Sequence, residues 1–406
     1  MKAVTYEGTR KMEVSSEPKP KLKAPTDAIL RVTTAGICGS DLHMYDGRTD
    51  LSRGTVVGHE IMGVIDEVGE AVTSLKPGDR VVLPFNIACG FCYNCIRGFT
   101  SACLTMNPET AGAAYGYAGM GPYKGGQAEF VLVPHADFNG LKLPGKEGDD
   151  WEDDFLLLSD VFPTGFHAAE LACVGPGKTV AIFGAGPVGL LAAHSSILKG
   201  ASEIYVVDAI PERLEKAAEF GAIPVDINNG NPVEQIFALR KKNRGIQGGL
   251  RPGEEKMKGV DCVIDAVGYQ ARDDKDVKKE NPMQVLENCL EVVNPTGAIG
   301  VIGVYIAPDP GGKDKDAKQG IFPFPLAKVF EKGLTIGSGQ APVKKYNEQL
   351  RDLIVNGRAR PGVIVSHHIN IEDAPDAYKK FDKRVDGYTK VVIRFTGTPK
   401  SLSATA

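Results

Sequence analysis

This chain has no surplus of basic residues. It contains 47 Lys and Arg and 51 Asp and Glu, which gives a net charge of −4. A nucleic-acid-binding surface usually needs such a surplus. The chain also lacks an apolar run of about 20 residues, which a membrane-spanning helix requires. The N-terminus, MKAVTY, has no apolar signal-peptide core and is typical of a first strand. We therefore predict a cytoplasmic protein with neither nucleic acid nor membrane as its partner.

Four of the eight cysteines fall within fifteen residues, with the spacing C-x2-C-x2-C-x7-C. They are Cys89, Cys92, Cys95 and Cys103. One loop with this spacing can supply the four tetrahedral thiolates of a structural zinc site. Disulfides and a nucleic-acid-binding zinc ribbon are the alternatives. Disulfides suit a short secreted protein better than a chain of this length, and the loop carries no basic stripe.

The pattern of apolar residues along the sequence changes near residue 175. Before it, short apolar runs broken by Gly, Pro and Asp (28–33, 63–68, 80–84 and 128–134) predict a β-rich, partly barrel-like domain. After it, apolar strands at 179–183, 203–207, 260–264, 298–303 and 334–337 alternate with helices, which predicts a doubly wound parallel sheet. Residues 343–356 and 374–381 are predicted helices, and 363–371 and 390–395 predicted strands. This tail is expected to rejoin the first domain.

A glycine fingerprint, GAGPVG at 184–189, follows the 179–183 strand and opens a helix. In that context Gly184 permits the turn, Gly186 lets the backbone approach a pyrophosphate, and Gly189 lets helix and strand pack closely. The helix N-terminus attracts phosphate. Asp208 ends the next strand, where a carboxylate can accept hydrogen bonds from ribose hydroxyls, which favours NAD over NADP. Arg213 could instead receive a 2′-phosphate or flank the adenine.

A second group of candidate metal ligands is dispersed: Cys38, His59, Glu60 and Asp160. Taken singly, Cys38 is more often a buried core residue and His59 a loop histidine, and their spacing does not prove a metal site. Their occurrence beside a zinc loop and a dinucleotide fingerprint favours a catalytic zinc, which needs three protein ligands and one open position.

Several longer motifs make the sequence resemble the zinc-dependent alcohol dehydrogenases of the medium-chain superfamily, from the first strand to Phe395. Within that superfamily it is similar to the glutathione-independent formaldehyde dehydrogenases and aldehyde dismutases. The motifs that carry this resemblance are PFNIACG at 84–90, AAYGY at 113–117, GGQAE at 125–129, LSD at 158–160, PTG at 163–165 and GQAPV at 339–343.

The resemblance implies a fold and a set of site residues. It implies a discontinuous β-rich (GroES-like) zinc-binding catalytic domain at 1–165 and 338–406, and a Rossmann NAD-binding domain at 166–337. Cys38, His59 and Asp160 would bind the catalytic zinc, with Ser40 and His43 relaying a proton; Glu60 would approach the metal or stay behind it. Besides the three glycines of the fingerprint, the implied cofactor contacts are Gly39, Thr164, Pro187, Val188, Val267, Arg272, Ile302, Val304, Gly339 and Ala341.

The implied activity is hydride transfer between NAD and a small aldehyde, oxidised as its hydrate, with two zinc ions per subunit. If NADH stays bound, it can reduce a second aldehyde, which is dismutation. The segment 270–281, which includes Arg272, occupies the place of an insertion that retains NAD in the relatives, but its residues 273–275 (DDK) depart from their pattern. An alcohol or polyol dehydrogenase with freely exchanging NAD is the alternative. A homo-oligomer, a tetramer rather than a dimer, is expected.

Overall fold

The computed structural model describes residues 1–247, 252–274, 276 and 279–395, and of 244–247 only the backbone. The chain divides into two compact units. The first comprises Met1–Pro163 together with the chain from Pro342 onward, and the second is Thr164–Ala341. No helix of the described residues has the length and apolarity to cross a bilayer.

The strands of the described residues are given in chain order. They are β1 (Lys2–Gly8), β2 (Lys11–Ser16), β3 (Ala28–Ile37), β4 (Thr55–Val56), β5 (Glu60–Val68), β6 (Arg80–Leu83), β7 (Phe130–Val133), β8 (Leu141–Lys142), β9 (Thr179–Phe183), β10 (Glu203–Asp208), β11 (Ile223–Asp226), β12 (Val260–Asp265), β13 (Val293–Val301), β14 (Thr335–Ser338), β15 (His367–Asn370) and β16 (Val391–Arg394).

The α-helices of the same residues are mostly short. They are α1 (Gly39–Tyr45), α2 (Ala136–Asn139), α3 (Glu152–Leu156), α4 (Val161–Leu171), α5 (Pro187–Leu198), α6 (Pro211–Glu219), α7 (Pro232–Gln247), α8 (Gln284–Val292), α9 (Lys315–Lys318), α10 (Leu326–Lys332), α11 (Asn347–Val355) and α12 (Ala374–Lys383).

The first unit is built on a mainly antiparallel sheet in the order β15-β16-β3-β5-β6-β8, with β7 also pairing with β3. The small sheet β2-β1-β4 lies beside it in the same unit. Strand β3 is buried along almost its whole length, so it forms the centre of the core. The returning tail supplies β15 and β16, and β16 pairs antiparallel with the end of β3 that leads to Cys38.

The second unit is a six-stranded sheet in the order β11-β10-β9-β12-β13-β14, and every pairing in it is parallel. Strand β9 is buried at all five positions because helices cover both faces of such a sheet. The predicted combination of a β-rich domain with a doubly wound parallel sheet is confirmed. The prediction of one strand over 363–371 is wrong: Pro361–Ile364 is a 3-10 turn, and only His367–Asn370 is a strand.

Candidate active site and metal centres

Three elements of the first unit bring the dispersed candidate ligands together. Cys38 follows β3 and caps α1, His59 immediately precedes β5, and Asp160 lies between a 3-10 turn and α4. The Cys38 Sγ lies 3.4 Å from Asp160 Oδ2, and the same oxygen lies 3.3 Å from His59 Nε2. All three side chains are buried. With Glu60, their ligand atoms fall within 4.8 Å of one another.

The geometry of this cluster fits a tetrahedral zinc ion. Zinc bonds of about 2.0–2.3 Å place neighbouring ligand atoms roughly 3.3–3.7 Å apart, as these atoms are. The charges fit as well, since a buried thiol and the buried Asp160 carboxyl group lie side by side there. Burial and the neighbouring Asp160 raise the pKa of Cys38 to about 11, so the thiolate form requires a metal beside it.

The imidazole of His59 is held from behind by a buried carboxylate. Its Nδ1 lies 3.1 Å from Asp41 Oδ1, and Asp41 Oδ2 accepts hydrogen bonds from the Cys38 N–H and from Gln127. Gln127 is fixed in turn by the hydroxyl of Tyr378, 3.0 Å away. Burial opposes a charged imidazole, but Asp41 and Asp160 outweigh it and raise the pKa of His59 well above its ordinary value. A carboxylate behind a metal-binding histidine fixes the ring and its tautomer.

Glu60 is paired with a buried lysine. Lys390, one residue before β16, donates to both carboxylate oxygens of Glu60, and both side chains are completely inaccessible. Gly36 leaves the room for this pair, since a Cβ there would lie 2.3 Å from Glu60 Oε2. The ammonium group of Lys390 therefore balances the charge of Glu60. The Glu60 carboxylate binds this lysine rather than joining Cys38, His59 and Asp160.

Replacing Lys390 with methionine is expected to lower the free energy of unfolding by about 3–5 kcal/mol, because it leaves a buried carboxylate without its cation. Adding Glu60→Gln to that variant should recover most of the loss. Urea denaturation of both variants and of the parent measures this. The exposed pair of Lys2 and Glu372 offers the control, since Lys2→Met should cause no comparable loss. Equal losses at the two lysines would contradict the prediction.

Ser40 and His43 both lie on α1, the helix that begins directly after Cys38. The Ser40 Oγ is 3.3 Å from His59 Nε2. His43 is three residues further along, on the same face of the helix, and is half-buried. The rings of Phe85 and Tyr117 meet His59 edge-on, with centroids 6.1 and 5.9 Å from that of the imidazole. Aromatic side chains thus adjoin one side of the cluster.

The four-cysteine loop forms a second cluster, also in the first unit. The Cys89 and Cys95 sulfurs are 3.9 Å apart, as are those of Cys92 and Cys103. Zinc–sulfur bonds of about 2.3 Å give tetrahedral edges of about 3.8 Å. Backbone N–H groups point at the sulfurs, for example Cys92 N at Cys89 Sγ and Leu104 N at Cys92 Sγ. Burial opposes ionisation of Cys92, yet hydrogen bonds from the backbone N–H groups of Leu104 and Cys95 and from neighbouring cysteine side chains lower its pKa to about 6. None of these cysteines forms a disulfide, so that alternative is excluded.

In the second unit, the glycine fingerprint adopts the backbone that a dinucleotide loop requires. Gly184 has φ +96°, a Cβ on Gly189 would lie 1.8 Å from the Gly184 carbonyl oxygen, and Pro187 occupies the first turn of α5. Asp208 Oδ2 accepts a hydrogen bond from Ala185 N at 2.7 Å. These contacts tie the end of β10 to the loop that follows β9.

The remaining predicted cofactor residues are distributed over both units. Val267 follows β12, Ile302 and Val304 follow β13, and Gly339 and Ala341 follow β14, so these five lie beyond the carboxyl ends of neighbouring strands. Gly39 begins α1 in the first unit, and Val188 lies in the first turn of α5. Thr164 lies within α4.

Arg272 stands apart from those five residues. It forms an isolated antiparallel bridge with Glu280, and its cofactor role stays a prediction. Lys275 of the predicted retaining segment, with 277 and 278, lies outside the described residues. Arg213 Nη1 lies 3.9 Å from Asp208 Oδ2, so the opposite charges of these two predicted cofactor contacts partly balance.

Sequence reasoning missed the groups that support the ligands, namely Asp41, Gln127, Tyr378 and Lys390. Two signals were present. Asp41 stands three residues after Cys38, where a side chain can reach back to the backbone of a helix cap. Gln127 lies inside the GGQAE motif, although the motif alone does not indicate which group Gln127 contacts. Nothing local identifies Tyr378 or Lys390.

Comparison with known proteins agrees with the geometry. Residues 24–144 match the family described as alcohol dehydrogenase GroES-like domain, and residues 187–354 that described as zinc-binding dehydrogenase. A glutathione-independent formaldehyde dehydrogenase of Pseudomonas aeruginosa is 43% identical over 95% of both chains. A formaldehyde dismutase of Pseudomonas putida is 39% identical over 94% of this chain and 95% of its own. The alcohol dehydrogenase TADH from Thermus sp. ATN1 superposes with a TM-score of 0.79 at 36% identity, covering 97% of this chain and 99% of its own.

The chain belongs to the zinc-dependent alcohol dehydrogenases of the medium-chain superfamily, as its motifs predicted. It is an oxidoreductase, and its cofactors are zinc and a nicotinamide dinucleotide. Two clusters of ligand atoms in the described residues suit two zinc ions.

Proposed function

We propose that this protein is a zinc- and NAD-dependent dehydrogenase or dismutase acting on formaldehyde or another short aldehyde. The observation that carries the proposal is the convergence of Cys38, His59 and Asp160 on one buried point. The names of its formaldehyde-oxidising and formaldehyde-dismutating relatives support the substrate class. A zinc-dependent alcohol or polyol dehydrogenase with freely exchanging NAD is the alternative.

In this proposal the protein's own residues hold, orient and deprotonate the substrate. Cys38, His59 and Asp160 would hold zinc, which would supply a Lewis acid for the substrate oxygen, and NAD would supply the hydride acceptor. Ser40 takes the proton of the substrate hydroxyl, and His43 passes it towards solvent, because an imidazole can both accept and release a proton. Phe85 and Tyr117 present aromatic surface beside His59, which favours a small substrate. Asp41 keeps the imidazole oriented throughout.

The dehydrogenase and dismutase alternatives differ in what happens to the hydride. In dismutation one aldehyde hydrate loses two electrons and becomes the acid, and a second aldehyde takes up the hydride and a proton and becomes the alcohol. Protein purified without added nucleotide and incubated with formaldehyde separates them. Equal amounts of formate and methanol support dismutation. Turnover that begins only when NAD is added supports the freely exchanging enzyme, and no turnover under either condition overturns both.

Asp208 is proposed to select NAD, because its carboxylate would repel a 2′-phosphate. Asp208→Asn is expected to raise the kcat/KM ratio of NADP to NAD at least about tenfold, since it removes the charge and leaves Arg213 to receive the phosphate. The amide oxygen can still accept from Ala185 N, so the loop should persist. Steady-state kinetics with both cofactors measures the ratio. An unchanged ratio would contradict the assignment, and an unchanged KM for the aldehyde is the control.

A cytoplasmic homotetramer is proposed for the assembly. Two exposed apolar patches support it, one in each unit. The zinc-loop patch comprises Phe91, Tyr93, Ile96, Phe99 and Leu104, each at least half exposed. In the part of the chain that the structure describes, β14 is an edge strand of its sheet, and the sheet-edge patch around it comprises Ile321, Phe324, Leu326, Phe330 and Ile336. If each patch pairs with the same patch of another copy, the two interfaces generate a tetramer with three two-fold axes. Sedimentation velocity tests this, and a monomer would overturn it.

A further inference from the structure

Asp265, the last residue of β12, is a buried carboxylate that has no role in the proposed reaction. Its side chain is completely inaccessible. Oδ1 accepts hydrogen bonds from Val267 N at 2.9 Å and Gly268 N at 3.0 Å, and Oδ2 accepts one from the Tyr305 hydroxyl at 2.9 Å. Burial raises the pKa of Asp265, and these donors oppose the rise. The carboxylate therefore fixes the backbone of the loop that follows β12.

That loop is interlocked with the one that follows β13. The Asp265 carbonyl oxygen accepts from Ile302 N at 3.0 Å and from Gly303 N at 2.9 Å, and Tyr269 N donates to Val304 O at 2.9 Å. Gly268 has φ +82°, and a Cβ there would lie 2.4 Å from Val304 O. A side chain at Gly268 would therefore clash with the loop after β13, and the backbone hydrogen bonds hold the two loops together.

The position of these loops in the sheet assigns them one end of the cofactor. In the order β11-β10-β9-β12-β13-β14 the strand order reverses at β9 and β12, and a dinucleotide lies across that reversal. Its adenosine half belongs on the side of Asp208, and its nicotinamide half on the side of β12 and β13. The interlocked loops are therefore the support of the nicotinamide half.

Tyr305 connects these loops to a cavity elsewhere in the same unit. Its ring lines an apolar cavity of about 380 Å³, together with side chains of β13 and β14. Phe322 meets the ring edge-on, with centroids 5.4 Å apart. The hydroxyl at the far end of the ring reaches Asp265 and also lies 3.4 Å from Pro282 O. The packing of the ring in the cavity thus sets where the hydroxyl holds the carboxylate.

We propose that Tyr305 is a positioning residue for the nicotinamide half of NAD, acting through Asp265 on the loops that contain Val267, Ile302 and Val304. The inference rests on the proposed function, because it requires NAD to bind across this sheet. It predicts that loss of the Tyr305 hydroxyl weakens contacts with nicotinamide and spares those with the adenosine and pyrophosphate groups.

Calorimetric titration of nucleotide-free protein with NAD and with ADP-ribose tests this, since ADP-ribose lacks only the nicotinamide. Tyr305→Phe should raise the Kd of NAD about tenfold and change that of ADP-ribose less than about twofold. Tyr205→Phe is the matched control. The Tyr205 hydroxyl also donates to a carboxylate, that of Glu203, but Glu203 begins β10 and so lies at the end of the strand away from Asp208. That variant should bind both nucleotides as the parent does.

The outcomes separate this inference from the function on which it rests. Equal weakening of both nucleotides, or no change in either, overturns the role of Tyr305 while the parent's NAD binding stands. A parent that binds no NAD overturns the proposed function and the inference together. If Tyr305→Phe does not fold, Phe322→Leu decides, since it keeps the hydroxyl and loosens the ring. It should weaken NAD about threefold and spare ADP-ribose, and an unchanged ratio of the two Kd values overturns the inference.

Discussion

Replacing Asp160 with alanine is expected to reduce kcat/KM for aldehyde by at least about 1,000-fold, because it removes one of the three proposed protein ligands of the catalytic zinc. The zinc content should fall from two ions per chain to one, since the four-cysteine cluster is untouched. Metal analysis by mass spectrometry and steady-state kinetics measure the two quantities. Calorimetric binding of ADP-ribose should stay as in the parent, which shows that the dinucleotide-binding unit is intact.

Asp160→Cys is the control for that experiment. Many alcohol dehydrogenases have cysteine at this position, and a thiolate can bind zinc in place of the carboxylate. This variant should retain two zinc ions per chain and part of the activity. If Asp160→Ala kept both ions and the parent's activity, Asp160 would not be a ligand. The chain would then be a zinc-stabilised dinucleotide binder without the proposed chemistry.

The part of the site that could be predicted from the sequence is the part encoded over short distances. The run from β9 through Gly184 and Gly189 to the end of β10 at Asp208 has a strand, a turn and a helix in a fixed order, and the structure agrees with it closely. The four-cysteine loop is equally local. In both cases the spacing of the residues along the chain is enough to predict the local geometry, because few backbone conformations are compatible with that spacing.

The catalytic ligand set is different, because its members are far apart in sequence. Cys38 and Asp160 are separated by 122 residues, and periodicity contains no information about such a contact. Only the resemblance to a family brought them together. The supporting pairs are still more distant: Lys390 and Glu60 are separated by 330 residues, and Tyr378 and Gln127 by 251. They exist because the tail returns to β3, and no local signal specifies which side chain of the tail meets which partner.

The tail also shows why the strand prediction at 363–371 was too long. Those residues are apolar and β-branched enough to favour a strand. However, Gly362 N donates to the buried Asp154 carboxylate at 2.6 Å, and Arg360 pairs with the same group. This tertiary contact holds Pro361–Ile364 in a 3-10 turn, so the pairing with β16 begins only at His367.

Cys95→Ser is expected to lower the free energy of unfolding by at least about 3 kcal/mol and the Tm by about 5–10 °C, because a structural zinc contributes directly to folding. The cost should be large since the zinc loop is part of the core of the first unit, where its four cysteines pack with residues such as Ile87 and Tyr115. Its Thr100–Ala102 turn also packs against Val343–Lys345 of the returning tail. Loss of the zinc ion should therefore destabilise both the zinc loop and the Val343–Lys345 turn of the tail.

The zinc content of that variant should also fall to one ion per chain, but here the remaining ion is the catalytic one. Before thermal inactivation the specific activity should stay within about threefold of the parent, because Cys38, His59 and Asp160 are unchanged. Cys173→Ser is the control, since Cys173 is exposed and belongs to neither cluster, and it should keep both ions and the parent's Tm. Scanning calorimetry with metal analysis measures both effects. An unaltered Tm at one zinc per chain would show that the loop folds without its metal, and two ions per chain would show that Cys95 is not a ligand.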